Sequence, residues 1–161
     1  MTPTADAQRQ LRTLLGAGDT RAALIFLNGL TEHRFTALYR FDKETLQNLY
    51  FFDRENPQQE STEDIPVMAS YCAFVRDRNS LFSTPDSLQD ERVRDHPKRQ
   101  VVQSYCGVPL RDESGDMFGT ICHFDFRPRP ISDENVELME AVAPLLKQSI
   151  PPAGRRRTEQ R

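Results

Sequence analysis

The apolar positions change period along the chain, and each change marks an element. Leu11, Leu14 and Leu15 recur on one helical face behind a polar start, which predicts a first helix following a loose segment at residues 1–10. Gly16 and Gly18 break that run. Asp19 stands as an N-cap ahead of Thr20–Asn28, whose Ala23, Leu24 and Leu27 make one buried stripe. Gly29 fits the left-handed position that closes many helices.

The period then drops to two. Arg34–Phe41 and Leu46–Asp53 are aromatic-rich and separated by Asp42-Lys43-Glu44-Thr45, a hairpin-length gap. Tyr39 and Phe41 alternate onto one face of the first strand, and Tyr50 and Phe52 onto one face of the second. Arg54–Glu63 is polar and reads as a loop. Pro66 is placed to open a helix over about Val67–Arg76, with Val67, Tyr71, Phe74 and Val75 at helical spacing. Leu81–Ser83 reads as a short strand and Pro85–Lys98 as a charged, turn-rich crossover.

A second hairpin follows, Ser104–Arg111 and Met117–Phe126 around Asp112-Glu113-Ser114-Gly115-Asp116. The closing helix is the clearest element. Ser132 caps it, Asp133 and Glu134 complement its dipole, and Val136, Met139, Ala143, Leu146 and Ile150 repeat at 3-4 spacing. Pro144 is expected to kink it, and Pro151-Pro152 to end it. The order predicts an α+β fold, an antiparallel sheet covered by helices, with a disordered basic tail at 151–161 carrying Arg155, Arg156 and Arg157.

Composition narrows the function. At 161 residues the chain fits one domain, and a formal charge of −3 argues against a general nucleic-acid binder. No apolar run of about 18 residues is present and the polar start carries no signal pattern, so a cytoplasmic location and no membrane are expected. Three scattered cysteines, Cys72, Cys106 and Cys122, form neither a disulfide framework nor a metal-ligand spacing.

The stretch Ser104–Leu146, reading SYCGVPLRDESGDMFGTICHFDFRPRPISDENVELMEAVAPLL, resembles the end of a GAF domain. There a "GVPL" strand, a "dG…GT-C" return strand, a "PR" loop and an amphipathic helix follow in this order. Ser70-Tyr71-Cys72 and Gln89–Pro97 resemble the middle of the same domain, and the likeness spans roughly Ala22–Gln148. The resemblance implies a five- or six-stranded antiparallel sheet over residues 11–150, with the terminal helices on one face. On the other face it implies a ligand pocket roofed by a helix and irregular segments. Such domains bind small molecules and pass on a signal.

Three constellations are candidates for chemistry. Asp64-Ile65-Pro66, His96-Pro97 and Cys122-His123 resemble the bilin-surrounding positions of phytochromes, although Asp95 stands where many carry the attaching cysteine. The plainer reading makes Asp64 and Pro66 a turn and the histidines ordinary polar residues. The three cysteines, with Cys72 on the pocket-side helix, resemble the equipment of free methionine-(R)-sulfoxide reductases. Such an enzyme needs one attacking and one resolving thiol. The plainer reading makes the strand cysteines Cys106 and Cys122 small buried hydrophobes. The aromatic residues are either pocket wall or core, and the tyrosines are the better wall candidates because a buried hydroxyl needs a partner. Arg92, Arg94, Lys98 and Arg99 on the crossover read as a solvated loop, with contact to an anionic ligand as the alternative.

The expectation is therefore a regulatory module rather than a catalyst, binding a small molecule of unspecified identity without an assigned cofactor or metal. The candidate ligand-contacting residues are Tyr39, Tyr50, Asp64, Tyr71, Cys72, Val75, His96, Tyr105, Cys106, Cys122 and His123. A homodimer through the terminal helices and a separate signalling partner are expected, because one such domain uses nearly the whole sequence.

Overall fold

Six strands form one antiparallel sheet in the computed structural model, which describes residues 3–150. The strands are β1 (Phe35–Asp42), β2 (Thr45–Asp53), β3 (Ile65–Pro66), β4 (Phe82–Thr84), β5 (Ser104–Arg111) and β6 (Met117–Asp125). Their order across the sheet is β3-β2-β1-β6-β5-β4. Both predicted hairpins form. In the first, Asp42 pairs with Thr45 and only Lys43 and Glu44 turn, with Lys43 left-handed at φ 57°. The expected tail, residues 151–161, lies outside the described residues.

The helices are α1 (Pro3–Gly16), α2 (Thr20–Asn28), α3 (Cys72–Arg78) and α4 (Asp133–Leu146). Asp19 caps α2 by accepting from the Ala22 N–H at 3.0 Å, and Ser132 caps α4 by accepting from Asn135 at 3.1 Å. α1 corrects the expectation of a loose start, because residues 3–10 are helical. Ala7 explains the extension: it stands one turn ahead of the fully buried Leu11 and packs in the same cluster. Gly29 is right-handed at φ −67°, not left-handed, because the chain leaves α2 through further turns that bond back to it. Pro144 lies inside α4, which continues to Leu146.

The predicted helix at 67–76 is split. Pro66 closes β3 opposite Thr45, a single 3-10 turn covers Val67–Ala69, and Ser70 is extended. The Ser70 hydroxyl then accepts from the Cys72 N–H at 3.0 Å and restarts the chain as α3. Two 3-10 turns, Ser87–Gln89 and Glu91–Val93, occupy the crossover.

The sheet has a core on each face. α1, α2 and α4 cover one with Leu11, Leu24, Leu27, Met139, Val142 and Leu146 against Leu38, Leu49, Val108 and Ile121. Each such side chain, fully buried, contributes about 1.5–3 kcal/mol. The α4 stripe that the sequence displays is thus spent on the chain's own sheet. α3 and the crossover cover the other face with Val67, Tyr71, Val75, Phe82 and Val93.

Candidate functional site

Strand alternation decides what reaches the α3 face. On β1, Phe35, Ala37 and Tyr39 point there, while Leu38 points to the helices. On β6, Cys122 and Phe124 point to the α3 face and Ile121 to the helices. β2 changes phase. A bulge in its pairing, where Leu38 faces Tyr50 but Tyr39 faces Asn48, inserts Leu49 as an extra residue. Leu46 before the bulge and Phe51 after it therefore reach the same face, although their separation is odd.

Between this face and its cover lies a cavity of about 430 Å³. That is room for a small organic molecule. Phe35, Phe51, Phe124 and Phe126 form one wall, and Tyr39, Tyr105 and Cys122 the floor. Ala69, Ser70 and Tyr71 close it from the α3 side, Lys98, Val101 and Val102 from the crossover, and Gln59, Thr62 and Glu63 from the loop after β2. The phenylalanines touch one another: Phe35 stacks on Phe124 at 4.7 Å and meets Phe126 edge-on at 4.9 Å.

Arg34 and Asp53 frame the wall. Their guanidinium and carboxylate pair through two bonds of 2.7 and 2.9 Å, and the Arg34 guanidinium lies 4.8 Å from the centre of the Phe35 ring. Burial alone would raise the Asp53 carboxyl, but the bonds from Arg34 and from the Glu55 backbone hold it below its ordinary value.

The tyrosines are tied in. Tyr71 donates to the Val102 carbonyl at 2.9 Å, which fastens α3 to the crossover. The Tyr105 hydroxyl is 3.1 Å from the Cys72 thiol, and its ring crosses the Tyr71 ring edge-on at 5.6 Å. Tyr105 lies flat along its own strand because residue 107 is glycine. A Cβ there would stand 2.2 Å from the Tyr105 hydroxyl. Burial, with the neighbouring thiols, pushes both Tyr39 and Tyr105 well above the usual phenol range, so both are neutral donors.

Four of the eleven candidates line the cavity: Tyr39, Tyr71, Tyr105 and Cys122. Cys72 lies directly behind Tyr105, and Val75 is fully buried in the core beside it. Asp64 pins the loop after β2, its carboxylate accepting from the Asn48 N–H at 3.1 Å. His96 is a structural residue with both ring nitrogens used. Its Nε2–H donates to the Ser70 carbonyl at 3.1 Å and its Nδ1 accepts from the Lys98 N–H at 3.0 Å.

Tyr50, Cys106 and His123 fall on the opposite face. The Leu49 bulge turns Tyr50 toward the helices. Cys106 is one residue from Tyr105 and so points the other way, with its thiol 3.7 Å from the Met139 sulfur. His123 is sealed between strands and helices, its Nδ1 2.6 Å from the Thr36 hydroxyl. Asp64, His96 and His123 are therefore not gathered around one space as the bilin resemblance would need. The three cysteines likewise separate into a pair and a single residue.

Of the crossover cations, Lys98 alone borders the cavity. Arg92 is held by Asp90 and the Ser83 carbonyl, and Arg99 by the carbonyls of Ser87 and Leu88. Arg34 and Asp53 were absent from the candidates, and the phenylalanines stood only as wall or core. Period two places these residues on a strand pair but does not say which face is roofed. Among the described residues no group of three or more His, Cys, Asp or Glu side chains could hold a metal ion.

Comparison with known proteins agrees with this architecture. The GAF domain family model matches residues 5–150. Over 85 residues, half of the chain, the sequence is 32% identical to a cyclic di-GMP phosphodiesterase of Pseudomonas aeruginosa, and the match spans 14% of that protein. The GAF domain of a phosphoenolpyruvate-protein phosphotransferase from Acinetobacter superposes with a TM-score of 0.75 at 12% identity, covering 92% of this chain and 93% of that one. A type II free methionine-R-sulfoxide reductase from Thermoplasma acidophilum gives 0.64 at 16% identity, covering 89% and 94%. At these identities the two structures speak for the fold alone. With the family model spanning nearly all of the sequence, the chain belongs to the GAF domain family.

Proposed function

We propose that the protein is a small-molecule-binding sensory module in signal transduction and that the cavity between the sheet and residues 62–103 is its ligand site. The observation that supports this is the cavity itself. It is large enough for a metabolite, walled by four phenylalanines and floored by neutral tyrosine hydroxyls. Such a lining suits a flat or apolar body carrying a few polar atoms. The relative in Pseudomonas is a signalling enzyme by its name, which fits a regulatory role.

The roof offers a route for output. Ala69 and Ser70, Tyr71 at the head of α3, and Lys98, Val101 and Val102 of the crossover share the cavity, so a bound ligand bears on two segments that Tyr71 to Val102 and His96 to Ser70 already join. The sheet connects that face to α1 and α4, the surfaces proposed to meet a second copy or a separate signalling protein. Among the described residues no helix is long and apolar enough to cross a membrane.

The test is ligand-dependent stabilisation. Thermal unfolding with a metabolite and nucleotide library should yield a compound that raises the melting temperature of the wild type. The same compound should fail with a variant whose cavity is filled at Ala69. A compound that stabilises both equally would place the binding elsewhere.

A further inference from the structure

We infer that the cavity takes an aromatic monocarboxylic acid, with its ring against the phenylalanine wall and its carboxylate on Lys98. This rests on the reading of the cavity as a ligand site and names the chemical class that fits it. The apolar half of the fit comes from the sheet. Phe35 is in ring contact with the three other wall residues, its centre lying 5.6 Å from Phe51, 4.7 Å from Phe124 and 4.9 Å from Phe126. The wall is thus one continuous aromatic surface, and a planar ring packs against it by stacking or edge-on contact. It runs out to the rim, where Phe126 is 43% and Val101 49% exposed while both still line the cavity. A bound apolar body removes that surface from water.

The polar half is small, because most polar groups around the cavity are already committed. Tyr71 donates to the Val102 carbonyl, and the Tyr105 hydroxyl meets the Cys72 thiol. Arg34 and Asp53 hold each other through two bonds, so each charge is neutralised where it stands. Lys98 differs. It is half-buried and borders the cavity, and among the described residues no carboxylate pairs with it. Its main chain is fixed, the N–H donating to His96 and the carbonyl accepting from Val101 and Val102. A partly desolvated ammonium without a counter-ion attracts an anionic group, and a charge-assisted bond to a carboxylate satisfies it.

The balance of charge limits the ligand further. Glu63 also borders the cavity, but it is exposed, so water screens it and it holds a cation only weakly. The formal charges of Arg34, Asp53, Glu63 and Lys98 cancel, and a ligand with two or more negative charges meets no excess of positive field. A nucleotide, with its phosphate and sugar hydroxyls, asks for more donors than this lining leaves uncommitted. One flat apolar body with one carboxylate matches what remains.

The experiment uses the full chain and aryl acetates of increasing ring size, phenylacetate, naphthylacetate and anthracenylacetate, each beside its uncharged amide. In calorimetric titration at low ionic strength, at least one acid should bind about tenfold more tightly than its amide. Added salt should narrow that gap. Lys98→Met should bring acid and amide to the same affinity, whereas Lys98→Arg should keep the preference for the acid. Ala69→Trp should abolish binding of both. Amides that bind as well as their acids at every ring size, or a preference that Lys98→Met leaves intact, would overturn the inference. So would acids that fail to bind while a compound of another class stabilises the wild type but not Ala69→Trp, a result that keeps the cavity as a ligand site. If no compound of any class binds, the cavity reading falls and this inference falls with it.

Discussion

Acidification tests how firmly the helix-covered face is sealed. His33 and His123 are fully buried there, stacked with ring centres 6.0 Å apart. Asn28 donates to the Thr36 hydroxyl at 2.9 Å, so Thr36 in turn donates to Nδ1 of His123 and fixes the neutral ring with its proton on Nε2. Thr31 lies 2.7 Å from Nδ1 of His33. Both Nε2 atoms are buried without a hydrogen-bond partner. Burial is the main cause that lowers His33 from 6.5 to about 4, with Asp125 opposing it and Arg129 and Arg54 assisting. Burial, His33 and Arg54 lower His123 from 6.5 to about 3.

A base lowered in the folded state takes up its proton in the unfolded state first, so stability is lost as pH falls below 6.5. Each unit of pH below that value costs about 1.4 kcal/mol per histidine. At about pH 4.5 the two together cost roughly 5 kcal/mol, a large part of the 5–15 kcal/mol that holds a domain of this size. His96, also lowered by burial, acts in the same direction. The carboxylates are separable. Asp53, Asp90 and Asp125 are held below 3.8, so their contribution is present above that value and disappears only beneath it. Urea unfolding across this pH range should show the midpoint falling steadily between about pH 6.5 and 4.5. Imidazole NMR signals of His33 and His123 should remain those of neutral rings in the folded protein until well below pH 6. A midpoint that stays flat, or either ring protonating near its ordinary value while folded, would refute a sealed neutral pair.

Other perturbations address the cavity. Gly107→Ala forces a Cβ toward the Tyr105 hydroxyl and should cost about 1–3 kcal/mol in chemical denaturation, with a changed tyrosine near-ultraviolet signal. Arg34→Met leaves the Asp53 carboxylate, 4% exposed, without its bidentate partner and should cost about 1–3 kcal/mol, whereas restoring charge balance with Asp53→Asn should recover part of the loss in a double-mutant cycle. Ala69→Trp fills the cavity from the α3 side. It should abolish ligand-dependent stabilisation while far-ultraviolet circular dichroism stays that of the wild type.

What the sequence revealed depended on whether local pattern was enough. Ser104–Arg111 is read to the residue, because the turn Asp112–Asp116 and the alternating Tyr105, Gly107 and Cys106, Val108 define a strand without outside help. The start of α1 was invisible because Ala5 and Ala7 are too small to signal a stripe, and Ala7 is buried only through tertiary packing. The split at Ser70 depends on a hydroxyl bond to Cys72 that spacing cannot display.

For the site, the need of a buried hydroxyl for a partner points to Tyr39, Tyr71 and Tyr105, which line the cavity, and equally to Tyr50, which turns away from it. A bulge at Leu49 shifts every later side chain of β2 by one position, and no simple alternation anticipates it. Arg34 and Asp53 escaped notice because charged residues at strand ends read as solvated termini. Their pairing across β1 and β2, against a phenylalanine face, appears only once the strands are set side by side.

Native mass spectrometry with an absorbance spectrum on freshly purified protein asks whether the cavity holds a ligand. A ligand-binding cavity should yield a bound small molecule, released on denaturation and absent from Ala69→Trp, or take one up from the library with a matching rise in melting temperature. An empty wild-type protein that no compound stabilises, with Ala69→Trp fully tolerated, would contradict a ligand-binding cavity.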